Sequence, residues 1–109
     1  ILVMGYTFKE NCPDARNSLV SRLIDTLLAR GAGVFIYDPW LSSEALPLRH
    51  QPMLLEEFEE RPFDGILIAV AHKQFTEIGA ETINRMCPVA SCIFDVKGIF
   101  GGQFGFQRL

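Results

Sequence analysis

Two cations fall close together in a stretch of turn-forming residues, an arrangement suited to holding an anion. In the run from Phe8 to Asn17, which reads FKENCPDARN, Lys9 closes an apolar segment and Arg16 stands just before a segment of helical periodicity. A phosphate lodged between them would gain from both side chains, from the free N–H groups at the helix start and from the positive end of its dipole. The same spacing admits a second arrangement, in which Lys9 and Arg16 pair with Glu10 and Asp14 as surface ion pairs. Neither GxGxxG nor GxxxxGK(S/T) follows the first apolar run, so this is not a standard dinucleotide or triphosphate loop. Cys12 shares the turn, but no histidine lies near it in sequence to activate it as a nucleophile. His72 has the chemistry of a general base.

These residues need a strand and a helix to hold them. Ile1 to Phe8 is apolar and partly β-branched, which predicts a strand buried on both faces of a parallel sheet. Asn11, Pro13, Asp14 and Asn17 then supply turn and cap chemistry. Leu19, Val20, Leu23, Ile24, Leu27 and Leu28 recur at helical spacing and predict a helix over Ser18 to Arg30, stopped by Gly31. Val34 to Tyr37 is a second strand that Asp38-Pro39 ends, with Asp38 as a turn or cap residue. Trp40 to Pro52 reads as an irregular connection with a short helix around Ser43 to Leu48, and Trp40 packs it onto the body or onto a neighbouring domain with its indole N–H on a carbonyl.

Leu54 to Glu60 predicts a short acidic helix, with Glu56, Glu57, Glu59 and Glu60 as its solvated face. Ile66 to Ala71 is a third strand, Lys73 to Met86 is helical with an interruption near Gly79, and Ala90 to Val96 is a fourth strand. Cys87 and Cys92, which flank or enter that strand, read as small buried hydrophobes. Phe104, Phe106 and Leu109 make a final edge strand or a docked tail.

Strands alternating with helical segments predict a three-layer α/β/α domain over residues 1–109, a mostly parallel Rossmann-like sheet of about five strands. Ligands in such sheets sit beyond the carboxyl ends of the strands, here Phe8-Lys9, Asp38-Pro39, Ala71-His72-Lys73 and Asp95-Val96-Lys97-Gly98. With 49 % hydrophobic and 21 % charged residues among 109, the chain has the composition of a folded domain. A formal net charge of −3 speaks against bulk binding to nucleic acid or anionic lipid, so an anion has to be held locally. The three cysteines form no CxxC pair and fit neither a disulfide framework nor a zinc site, which predicts a cytoplasmic setting. Apolar runs such as Ile66 to Ala71 fall far short of the roughly 20 residues that span a bilayer, so no membrane partner is expected. The chain starts on strand-like residues without Met and reads as part of something longer.

The run Gly5-Tyr6-Thr7-Phe8-Lys9-Glu10-Asn11-Cys12-Pro13-Asp14-Ala15-Arg16-Asn17-Ser18 resembles the opening of the C-terminal UDP-binding domain of the UDP-sugar 6-dehydrogenases, the UDP-glucose/GDP-mannose dehydrogenase family. Tyr37-Asp38-Pro39, Ala69-Val70-Ala71-His72-Lys73 and Phe94-Asp95-Val96-Lys97-Gly98 resemble later landmarks of that domain in the same order. The form FKEN-Cys-Pro-Asp is most similar to the branch acting on UDP-N-acetylhexosamines in bacterial capsule and O-antigen synthesis. The resemblance implies a parent oxidoreductase that converts the sugar C6 hydroxymethyl group to a carboxylate. It does so by two hydride transfers to NAD and a thioester to cysteine.

The NAD-binding domain, the central domain and the catalytic cysteine precede this domain in the family. The resemblance therefore implies a fragment inactive alone, with no catalytic residue and no metal of its own, and a homo-oligomeric parent. It assigns Phe8 and Lys9 to the UDP-sugar, Arg16 to the NAD side of the interdomain cleft, and Lys97 to a basic position near the substrate that some members fill with arginine. His72 becomes a structural position. Two other classes compete. A free-standing nucleotide-binding or phospho-receiver module needs acidic residues after the first strand and an aspartate ending the third, where this chain has Phe8-Lys9 and Ala71-His72. A structural oligomerisation module without catalysis would use the Phe-rich tail.

Overall fold

The computed structural model describes residues 1–16, 18–89 and 92–108. Strands β1 (Leu2–Met4), β2 (Phe35–Tyr37), β3 (Ile66–Ile68) and β4 (Ile93–Asp95) form one parallel sheet in the order β2-β1-β3-β4. The helices are α1 (Leu19–Ala29), α2 (Lys73–Ile78) and α3 (Ala80–Met86). Side chains alternate across each strand, and that alternation builds two cores. Leu2, Met4, Ile66, Ile68 and Ile93 pack with Phe75, Ile83 and Met86 of α2 and α3. Val3 and Ile36 pack on the opposite face with Ile24 of α1. The chain moves from β1 to β2 through α1, and from β3 to β4 in the other direction through helices on the other face, as crossovers of one hand require. This is a three-layer Rossmann-like α/β fold, and none of its described helices is long and apolar enough to cross a membrane.

Ser18 caps α1 by accepting from the Val20 N–H, and Gly31, at φ +87°, ends the helix with its N–H on the Leu28 carbonyl. Gly79 at φ +88° separates α2 from α3 where the sequence places the interruption.

Several elements differ from the sequence reading. Among the described residues the sheet has four strands, and the tail adds a single parallel bridge, Gln107 opposite Phe94. Leu54 to Glu60 is not helical. A helix there would set Glu56 against both Glu59 and Glu60, and such like-charge pairs three and four residues apart are destabilising. The segment instead runs beside β2, with Leu54 bridged to Ile36 and the Leu55 N–H on the Ile36 carbonyl at 2.8 Å. Around Ser43 to Leu48 the helix shrinks to a 3-10 turn at Ser43–Ala45. Cys87 is buried but Cys92 is exposed, because it shares the outward side of β4 with the part-exposed Phe94. Trp40 packs near His72, yet its indole N–H finds no acceptor among the described residues. The expectations for Asn17, Ala90 and Leu109 lie outside the described residues.

Candidate ligand-binding site

β1 and β3 send their chains away in opposite directions, so a crevice opens beyond their carboxyl ends. Its base is set by Gly5. At φ +96° this residue lies where only glycine is comfortable, and a Cβ on it would stand 2.7 Å from the Val70 Cβ. The close approach brings the loop after β1 against the loop after β3.

Buried polar groups then fasten the loops together. One Asp38 carboxylate oxygen accepts from the Tyr6 and Thr7 N–H groups at 2.7 and 3.1 Å, while the other accepts from the Trp40 N–H at 2.9 Å. His72, fully buried, accepts the Asn11 N–H at Nδ1 (2.9 Å). Its proton therefore sits on Nε2, which donates toward Asp38 (3.0 Å) and the Thr7 hydroxyl (3.1 Å). The Thr7 hydroxyl in turn donates to the Lys9 carbonyl at 3.0 Å. Both ring nitrogens of His72 are committed, so it is a positioning residue. Burial would push the Asp38 carboxyl up, but the bonds from His72, Tyr6 and Trp40 outweigh it and hold the carboxyl below its ordinary value. Asp38 is thus the turn and cap residue expected from its Asp-Pro context.

Asn11 adds a tether that sequence reasoning saw only as a turn. It takes a left-handed φ of 54°, which asparagine tolerates, and its side-chain oxygen accepts the Lys73 N–H at 3.0 Å. That satisfies the first N–H of α2, for which His72 supplies no side-chain cap.

Above these fastenings lies a hollow of about 350 Å³ lined by Phe8 and Lys9 after β1, Leu19 and Leu23 of α1, Val70 after β3 and Lys97 after β4. Phe8 is 61 % exposed, a large ring held out at the rim. Lys97 is placed by Asp95, a buried residue whose carboxylate accepts the Ile99 and Phe100 N–H groups at 3.1 and 3.0 Å and so wraps the turn after β4. An Asp at a strand end followed by Gly98 is the sequence signal for that turn. No ion pair among the described residues involves Lys9 or Lys97. Chemically the hollow offers an exposed aromatic face, apolar walls and two cations from the loops after β1 and β4, with the Glu10 carboxylate also in its lining.

Arg16 does not join this group. It makes a two-pronged ion pair with Asp14 (3.1 and 3.2 Å) and lines a neighbouring hollow of about 780 Å³ with Tyr6, Asp25 and Arg49. The alternative reading of its spacing, pairing with Asp14, is the one the fold adopts. Hydrogen bonds from Arg16 hold the Asp14 carboxyl below its ordinary value. The same hollow borders a relay absent from the sequence reading. The Tyr6 hydroxyl meets His50 Nδ1 at 3.0 Å, and His50 Nε2 meets Asp25 at 2.7 Å. His50 is fully buried and staples the connection after β2 to α1. The Arg49 guanidinium, then His50, hold the Asp25 carboxyl well below the usual carboxylate range.

Residues 2–102 match the family model for the UDP-glucose/GDP-mannose dehydrogenase family, UDP binding domain. A UDP-N-acetyl-D-glucosamine 6-dehydrogenase of Salmonella typhi is 31 % identical over 109 residues, all of this chain and 26 % of that protein. One of the same name from Pseudomonas aeruginosa is 36 % identical over 97 residues, 89 % of this chain and 23 % of that protein. Protein CapL of Staphylococcus aureus is 35 % identical over 103 residues, 93 % of this chain and 24 % of that protein. The chain thus spans about a quarter of the length of these curated relatives. No solved structure matches it.

Proposed function

The chain belongs to the UDP-glucose/GDP-mannose dehydrogenase family as its UDP-binding domain, and from that membership we propose that it recognises the UDP-sugar in an NAD-dependent UDP-N-acetylhexosamine 6-dehydrogenase. The whole enzyme would act in the cytoplasm as a homo-oligomer, for surface polysaccharide synthesis. Support for the hexosamine branch comes from relatives whose names specify UDP-N-acetyl-D-glucosamine and UDP-N-acetyl-D-mannosamine. The observation that carries the reading is the crevice at the switch point, where Phe8, Lys9 and Lys97 face a common space. In this reading Phe8 offers its ring to the ligand, and the lysines offset the diphosphate charge. Substrate held this way has its sugar fixed for chemistry performed by the enzyme's other domains, and residues 1–109 alone are expected to show no dehydrogenase activity.

The chemistry that bound NAD would supply is an acceptor for hydride from the sugar carbon. Of the residues here, only Arg16 is assigned to it. Asp14 occupies the Nε and one Nη2 position of the guanidinium, which leaves further N–H donors of the fork for a phosphate group. The fit is that of an oriented, exposed cation, 86 % accessible at its side chain.

Lys9→Ala in the full-length enzyme tests the reading. A lost charge-assisted contact of about 1.5–3 kcal/mol corresponds to roughly a 10- to 100-fold rise in the KM for UDP-sugar, with the KM for NAD unchanged. Unchanged substrate affinity and turnover would remove Lys9 from the site. Arg16→Ala should do the reverse, raising the KM for NAD about tenfold while sparing that for UDP-sugar. An NAD dependence equal to that of the unaltered enzyme refutes its reach to the cofactor.

A further inference from the structure

We propose that Arg108 is a further substrate-binding residue, a cation beside Lys97 that holds the diphosphate of the nucleotide sugar, delivered there by the folded-back tail. This rests on the reading of the crevice as the nucleotide-sugar site.

The tail is rich in glycine and has no helical or strand periodicity, yet its path is fixed. Asp95 wraps the turn after β4, Phe100 and Phe106 are both buried, and their rings meet edge to face at 6.1 Å. Gln107 then joins the edge of the sheet. Its N–H donates to the Ile93 carbonyl at 2.9 Å, and its carbonyl accepts the Asp95 N–H at 2.7 Å. Because this bridge to Phe94 is parallel, the tail runs in the direction of β4. Arg108 therefore emerges at the carboxyl edge, where Lys97 also emerges.

Lys97 and Arg108 line one hollow of about 530 Å³ with Gly98 and Gln107. Lys97 also lines the crevice that holds Lys9, so the three cations follow one another along the edge of the sheet. The guanidinium lies over Gly102, where a Cβ would come within 3.3 Å of its Cζ and Nη2, and its stem lies beside Gly98. A turn bare of side chains is what leaves room for it. No ion pair among the described residues involves Lys9, Lys97 or Arg108. Glu10 also lines the crevice, but cations that form no ion pair among the described residues repel one another until an anion arrives, and a planar guanidinium fork matches phosphate oxygens two at a time.

Calorimetric titration of the full-length enzyme with UDP and with uridine, which lacks the phosphates, tests this. Arg108→Ala should weaken UDP about tenfold, leave uridine and the unfolding temperature unchanged, and Arg108→Lys should restore part of the loss. Wild-type UDP affinity in Arg108→Ala, alongside weakened binding in Lys9→Ala and Lys97→Ala, would overturn the role of Arg108 and leave the crevice standing. If none of the three variants affects UDP, the crevice reading itself falls, and this proposal with it. Equal loss for UDP and uridine with a lowered unfolding temperature would make Arg108 structural and overturn the proposal.

Discussion

Asp38→Ala is expected to destabilise the protein by about 3–5 kcal/mol, a large share of the roughly 5–15 kcal/mol that holds a domain folded. The carboxylate accepts from the Tyr6, Thr7 and Trp40 N–H groups and from His72 Nε2. Alanine strands the Tyr6, Thr7 and Trp40 donors and leaves His72 Nε2 only the Thr7 hydroxyl, at a place where Asp38 is 3 % and His72 0 % exposed, and a buried donor without a partner costs about 1–3 kcal/mol. Asp38→Asn should cost less but not little. One oxygen of the carboxylate serves Tyr6, Thr7 and His72 and the other serves Trp40, so an amide nitrogen placed at either position meets a donor. Urea unfolding should rank wild type above Asn above Ala. An alanine variant within about 1 kcal/mol of wild type would show that these donors find other partners.

The sign of the pH dependence follows. The folded-state pKa of Asp38 lies below its ordinary value, and the unfolded value is about 3.9. Its contribution is therefore complete above the unfolded value and is lost as pH falls through the folded one. The gap between wild type and Asp38→Ala should be widest near neutral pH and narrow below about pH 4.

The order and direction of the elements were legible because apolar runs alternate with one clear helical stripe, and the ligand edge followed from the parallel topology. What periodicity could not show was where pairing stops. Ile1 to Phe8 reads as one strand because the run is apolar and partly β-branched, and Tyr6 and Thr7 are indeed buried, but their N–H groups turn to the Asp38 side chain and the strand ends at Met4. Burial and pairing are separate properties, and a sequence run reports only the first. The acidic segment 54–60 misled for a related reason, since its Leu54 and Phe58 are anchored by Ile36 and Tyr37 of β2, contacts that no local pattern contains. Counting along the sequence places Lys97 just past β4, but it also puts Lys9 at the end of a first strand that in fact stops at Met4. That neither lysine forms an ion pair among the described residues, and that Arg16 takes Asp14, could not be decided from spacing; the loop that carries Lys9 is held by Asn11 and His72, which are far apart in the chain. His50 carried no signal, because its partners Tyr6 and Asp25 are brought to it only by the fold.

Gly5→Ala joins that geometry to the site, and it is expected to cost about 2–5 kcal/mol, from a strained positive φ and from overpacking. The new Cβ would meet the Val70 Cβ at 2.7 Å, Cγ2 at 2.9 Å and backbone nitrogen at 2.9 Å. The first and last of these cannot move by a change of side-chain rotamer, so the carboxyl ends of β1 and β3 must part. Phe8 and Lys9 follow Gly5 and line the crevice with Val70, so the same substitution should weaken UDP binding in the full-length enzyme. A double-mutant cycle separates the causes. Val70→Ala keeps the Cβ and should leave the penalty of Gly5→Ala nearly intact, whereas Val70→Gly removes the shortest contact and should recover part of it. The unrecovered remainder measures the backbone contact and the left-handed φ. If Gly5→Ala unfolds at the wild-type urea concentration, the two strand ends separate without cost, and the close approach at Gly5 is not what sets the crevice.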